Sequence, residues 1–400
     1  MSIHRRTFLA GACALPIAAQ VQDLAVRLPE IPVLPPSPPS QLSGPYAGKS
    51  WKIQYLFDED DAAAVLTDLR FGSAERGMAV GGFERKGKEE AVALITRDGG
   101  GKWTPVKLKD FPISLNLVDD SRAFAVCRDS LLFTNEGGAS WARLKLPKEA
   151  KRHPMLRCSF LDDKRGWIFG GGITFYSTSD GGQNWSKVPE SSEIKLKDEN
   201  TVWNWMNWFD AKSAFIVGNS AAPPPEASRF PDWMMPERAS RRRLLPSTTI
   251  LGETRDGGQT WKFSYASIFG RVVRMRNMGA RAIVVYHYGD GMEFPAEVYA
   301  LDLSTGKSVP IFRRKDLWVQ DAVPLASGGV VVAAIESPGR LRSTPVPGRL
   351  RIFLSLDGKA WNEMRVDYRA TGRRAYLSRL DDAHIWAGTD EGVILSLSSQ

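Results

Sequence analysis

The chain is poor in the residues that staple or metallate a fold. It has three cysteines and four histidines in 400 residues. Cys13 lies in the N-terminal segment treated below, which leaves Cys127 and Cys158. Two thiols cannot build the multi-bridge framework of a small secreted scaffold. They are expected to be apolar thiols buried in separate strands, with pairing in an oxidising compartment as the alternative. His153, His287 and His384 show no ligand spacing, so no metal and no cofactor is expected. Beyond the first twenty residues no stretch is apolar enough to cross a bilayer. The charge is +8, from 53 basic and 45 acidic residues. That moderate excess suits an acidic partner or a membrane surface and gives no reason to expect nucleic acid.

What the chain does have is a recurring phrase. It reads TRDGGGKW at 96–103, TNEGGASW at 134–141, TSDGGQNW at 178–185 and TRDGGQTW at 254–261. A shorter form, SLDGKAW, occupies 355–361. The acidic positions are Asp98, Glu136, Asp180, Asp256 and Asp357. An Asp at this place accepts hydrogen bonds from backbone N–H groups of a tight turn. The glycines supply the left-handed conformations, and the Trp opens the next strand with a large buried ring. Repetition at this spacing indicates a radial repeat protein. The phrase resembles the Asp-box, or BNR repeat, of sialidases and related β-propellers. In those families the turn is structural, and the same role is expected here.

The gaps between boxes count blades of four strands each. A degenerate unit at 301–306, LDLSTG, divides the longest gap into two. The last blade lacks a strand at the C-terminus. WKIQYLF at 51–57 begins with Trp like the strand after each box, and is expected to supply it. The reading is an all-β, seven-bladed propeller closed by an N-terminal strand, with six blades as the alternative if the Asp302 unit is irregular.

The N-terminus is expected to be a targeting segment. Arg5 and Arg6 followed by FLAGACALPIAA at 8–19 resemble a twin-arginine export signal. Residues 1–19 are read as that signal, which implies a periplasmic protein. A lipoprotein anchored at Cys13 is the alternative. Residues 20–48 are a proline-rich linker, and 49–400 the propeller, carrying an inserted loop at 221–246.

In a propeller the loops joining second to third strands and blade to blade share one face, opposite the boxes. The longest on that face is the insertion, with Phe230 and Trp233 beside Arg238, Arg241, Arg242 and Arg243. Trp203 and Trp205 are expected near it, as are Arg340 and Arg342 of the sixth blade. Exposed aromatics with arginines are what protein interfaces favour. The bland alternative is a solvated insertion with no partner.

Sialidase chemistry asks for an arginine triad, a tyrosine nucleophile with a glutamate, and an acid/base aspartate. The Arg-Ile-Pro signature of sialidases is missing, and nothing in the spacing selects Tyr286 and Glu293 as a pair. Glycosidases that use two carboxylates would draw on Asp232, Asp290, Glu293 or Glu336. A glycoside hydrolase is therefore the alternative, not the main reading. FLD at 160–162, GWIFG at 166–170 and TSDGGQNW at 178–185 resemble the repeat of the photosystem II stability/assembly factor family. That resemblance implies a non-enzymatic, exported scaffold for membrane or envelope proteins, without a cofactor. Bacteria without photosystems carry such proteins, so it does not imply photosynthesis. The expected partner is an exported or membrane protein with an acidic segment. A peripheral membrane contact stays open, and the protein is expected to be a monomer.

Overall fold

The computed structural model describes residues 46–147, 152–221, 234, 246–288, 292–336 and 347–399. Seven antiparallel sheets follow one another along the chain, and each is a blade. Six run as meanders from an inner to an outer strand, and the sixth of them adds a short strand, Thr371–Gly372, paired with Gly348–Ser355. The inner strands are Ala62–Phe71, Pro112–Leu117, Met155–Phe160, Thr201–Trp208, Arg271–Met278 and Leu317–Pro324. The seventh blade starts at Ala375–Arg379, and its outermost strand is the N-terminal Lys49–Leu56. That strand pairs antiparallel with Val393–Ser399, with Trp51 opposite Leu397. The closure expected from the sequence is the one observed. The Asp302 unit lies in a regular four-stranded blade, Arg271–Met278 through Ser308–Arg313, which rules out six blades. Folded structure begins a little before the expected boundary, because Tyr46 is already buried and its hydroxyl donates to the Asp382 carbonyl at 3.2 Å.

Second strands such as Ala123–Cys127, Gly166–Gly170 and Ile385–Thr389 are buried at every residue. A blade is covered on both faces by its neighbours, so its middle strands read as short continuous apolar runs. The glycines at their starts allow close approach. A Cβ on Gly77 would lie 2.5 Å from the Phe71 ring. That clearance lets Phe71 stack on Trp386 of the seventh blade at 3.6 Å between centroids. Phe160 stacks on Phe124 of the second blade in the same way, at 3.5 Å.

The boxes are turns with a shared wiring. Asp180 accepts from the backbone N–H of Gln183 at 3.0 Å and of Asn184 at 2.9 Å, and from the Thr178 hydroxyl at 2.8 Å. Those bonds, the Asn184 backbone first, hold its carboxyl down at about 2. Thr178 Oγ1 in turn accepts from the buried Gly182 N–H at 3.0 Å. Asp98, Asp256 and Asp357 accept in the same manner, while Glu136, one methylene longer, accepts from the Ser140 hydroxyl. Thr178→Val should cost about 1–3 kcal/mol, because it leaves a buried donor unpaired. Asp180→Ala should also lower the melting temperature. Both variants should keep any binding activity, as thermal melts with a parallel binding assay would show. Loss of binding at unchanged stability would instead make the box a functional site.

Cys127 and Cys158 are free and sit in separate strands, as expected.

Candidate functional site: the central channel

Each of the first six inner strands carries a β-bulge at the same height. The register slips between Leu66 and Asp68, Pro112 and Ser114, Met155 and Arg157, Trp203 and Trp205, Val272 and Arg274, and Val319 and Asp321. A bulge re-aims the side chain that follows it. Asp68, Ser114, Arg157, Trp205, Arg274 and Asp321 therefore form a ring around the channel. Tyr376 completes it. The Asp68 carboxylate accepts from Leu115 N of the next blade at 3.1 Å, and Asp321 accepts from Leu377 N at 3.0 Å. Leu115 and Leu377 thus hold equivalent places, one residue after Ser114 and Tyr376.

Two residues further along four of these strands, at Asn116, Asn207, Arg276 and Ser378, polar side chains tie blade to blade. Asn116 Oδ1 accepts from Phe160 N at 3.0 Å, and Ser378 Oγ accepts from Phe71 N at 2.8 Å. Asn207 donates to Asn277 at 2.5 Å. Arg276 reaches furthest: it pairs with Asp321 at 2.7 Å and donates to the Leu377 carbonyl of the seventh blade at 3.0 Å.

The channel holds the guanidiniums of Arg70, Arg157, Arg274 and Arg276 against the carboxylates of Asp68 and Asp321. Arg70 pairs with Asp68 at 3.1 Å and Arg276 with Asp321. Arg157 and Arg274 have no carboxylate partner among the described residues. They lie over the Trp205 ring, at 4.6 and 4.8 Å from its centroid, with Arg276 at 5.7 Å. Cation–π attraction to the indole holds the two guanidiniums in place without cancelling their charge. Burial, then repulsion from Arg274, pushes Arg157 down to about 9, which leaves it charged at neutral pH. Burial pushes the Asp321 carboxyl up, but Arg276, Arg274 and the Leu377 N–H outweigh it, and the net shift is downward. The result is a half-buried site with two unneutralised cations and planar donors suited to a carboxylate.

The residues singled out from the sequence fare differently. Trp203 is fully buried against Phe175 and Phe263, in the core between the third and fourth blades. It lies within the inner strand, not before it, and offers no surface. Trp205 is also buried, at 8% exposure. Its place is the channel wall beneath the arginines, so it is not a surface anchor either. Phe230, Trp233, Arg238, Arg241, Arg242, Arg243, Arg340 and Arg342 lie outside the described residues. Glu293 is exposed and paired with Lys315, whereas Tyr286 is buried, so the two form no pair. The channel arginines were not picked out from the sequence. The signal was available: Asp68, Arg157 and Trp205 each stand three residues before the aromatic that ends the strand, Phe71, Phe160 or Trp208.

Comparison with known proteins agrees with this architecture. Residues 106–202 match the family model described as photosynthesis system II assembly factor YCF48. The photosystem II stability/assembly factor HCF136 of Arabidopsis thaliana is 32% identical over 79 residues, which cover 19% of this chain and 20% of that protein. The matched stretch thus spans about a fifth of the curated relative's length. The solved structure of YCF48 bound to D1 peptide superposes over 92% of this chain and 100% of its own, with a TM-score of 0.59 and 17% identity. A GH74 xyloglucanase from Xanthomonas campestris superposes over 88% of this chain and 54% of its own, with a TM-score of 0.58 and 12% identity. At such identities the superpositions establish the fold alone. The chain is a BNR-repeat, seven-bladed β-propeller that resembles the YCF48 and HCF136 assembly factors.

Proposed function

We propose that this chain is a non-enzymatic, exported propeller that binds other proteins, and that its channel arginines hold an acidic segment of a membrane or envelope partner. The observation that carries this reading is the pair Arg157 and Arg274, which lie over the Trp205 ring with no salt-bridge partner among the described residues. Guanidiniums fixed on an aromatic ring keep little rotamer freedom to lose when a carboxylate arrives. The likeness to YCF48, whose solved structure holds a D1 peptide, supports a peptide as the ligand.

In the fifth blade Tyr288 donates to Glu297 at 3.0 Å and Tyr299 to the same oxygen at 2.5 Å. Burial first, then hydrogen bonding within this group, pushes both phenols up, Tyr299 to about 12.

Pull-down from solubilised envelope with wild type and the Arg157→Gln/Arg274→Gln double variant tests the reading. The wild type should recover partners with acidic segments, and the double variant should lose them while keeping a cooperative thermal melt. Hydrolysis of a glycoside by the purified protein would overturn it. Export is a separate prediction from Arg5 and Arg6. Replacing both with lysine should trap the precursor in the cytoplasm, as fractionation would show; unchanged periplasmic yield would contradict it.

A further inference from the structure

Six of the seven blade junctions are filled by a tryptophan from the start of an outer strand. Trp103 packs edge-on to Phe71 between the seventh and first blades, at 5.8 Å. Trp141 and Trp185 occupy the next two junctions. Trp261 meets Trp167 and Phe175 between the third and fourth blades, at 6.5 and 5.0 Å. Trp361 meets Phe312 of the fifth blade at 4.8 Å and donates to the Ile311 carbonyl at 2.8 Å. Trp51 joins the core between the sixth and seventh blades. In the fifth blade the residue that precedes the outer strand Ser308–Arg313 is Lys307, and it is exposed.

The junction that lacks its tryptophan is open. A cavity of about 1180 Å³ lies between the fourth and fifth blades. Its walls include Phe215, Leu251 and Tyr265 on one side and Val284, Tyr299 and Leu301 on the other. Leu251 and Tyr265 are 36% and 49% exposed there. The degenerate turn does not close the gap, since a Cβ on Gly306 would meet nothing within 4 Å. In the second box, by contrast, a Cβ on Gly138 would lie 2.7 Å from Ile95 of the preceding blade. Thr249 and Tyr286 stand side by side in the cavity wall, with their hydroxyls facing each other.

We propose that this junction is a docking cavity for an aromatic side chain, tryptophan above all, carried by an apolar segment of a partner polypeptide. The ring takes the place that a tryptophan of the chain takes at the other six junctions, and packs against the aromatic wall of Tyr265, Tyr286 and Tyr299. Asp210, Glu253 and Arg255 line the cavity, with Arg255 paired to Glu253 at 3.7 Å, which leaves one net negative charge against an anionic amphiphile such as a fatty acid. The cavity walls Phe215, Met275 and Val284 share a core cluster with Trp205, but none of the channel arginines lines the cavity, so replacing those arginines should leave it intact.

The test is binding of N-acetyl-tryptophanamide to the full mature chain, followed by ligand-observed NMR and thermal melts. The wild type should bind the probe and melt at a higher temperature with it. Lys307→Trp should raise the melting temperature without the probe and weaken probe binding by about tenfold or more, as a filled pocket must. Leu251→Asp, at an exposed position, should also lose the probe and keeps the proposal testable if Lys307→Trp fails to fold. Undiminished probe binding by both variants would overturn the proposal. So would preferential binding of octanoate, which would mark a lipid cavity. A concentration-dependent dimer broken by Leu251→Asp would assign the cavity to a second copy, and probe binding only after Trp233→Ala would assign it to the chain itself; either result overturns the partner assignment.

Discussion

Deleting residues 49–56 should abolish cooperative folding, while deleting 29–40 should leave the melting curve unchanged. The strand Lys49–Leu56 is the outermost of the seventh blade and pairs along the whole of Val393–Ser399. It carries Trp51, 3% exposed, into the junction with the sixth blade, where Trp51 N also donates to the Arg365 carbonyl at 3.0 Å. Removing a buried tryptophan alone costs about 3–5 kcal/mol. Removing the strand also uncovers the edge of Val393–Ser399 and the apolar wall of the sixth blade. The sum reaches the whole stability of a typical domain, about 5–15 kcal/mol. Soluble expression, circular dichroism and a thermal melt decide it. A deletion variant that melts cooperatively near the wild-type temperature would mean that the ring closes elsewhere.

The second large effect is expected at Asp321. Its side chain is 1% exposed and accepts from Ala322 N, Leu377 N and Arg276. Asp321→Ala strands a buried guanidinium and two backbone donors together. Breaking one partner of a buried pair costs about 3–5 kcal/mol, and the lower end applies because Arg276 retains some exposure. The pH dependence has a fixed sign. The folded carboxyl is held below its ordinary value, so its contribution is full above the unfolded pKa of about 3.9. It is lost as pH falls further, through the folded pKa. Wild type and variant should therefore converge in acid and separate near neutrality. A constant difference in unfolding free energy across that range would show that the carboxylate charge plays no part.

The blade count and the closing strand were legible because they rest on local chemistry. A turn that needs Asp, glycines and a following Trp writes the same letters each time. The channel was less legible, and the bulges are the reason. An extra residue in each inner strand breaks the two-residue alternation, so Trp203 and Trp205, which share a face in a regular strand, part company. Trp203 enters the core between the third and fourth blades, and Trp205 the core between the fourth and fifth, with two arginines over its ring. Arg157 and Arg274 read as ordinary strand residues until the slipped register is known. The open junction was visible as Lys307 in the place of a tryptophan, but its meaning depends on what the other six tryptophans do.

The most direct measurement is a calorimetric titration of a glutamate-rich peptide against wild type and the Arg157→Gln/Arg274→Gln variant, at low and physiological salt, with a glutamine-rich peptide as control. The account predicts binding of the acidic peptide that weakens with salt, and a loss of about tenfold or more in the double variant with a shallower salt dependence. Equal affinity of the two proteins for the acidic peptide would contradict it.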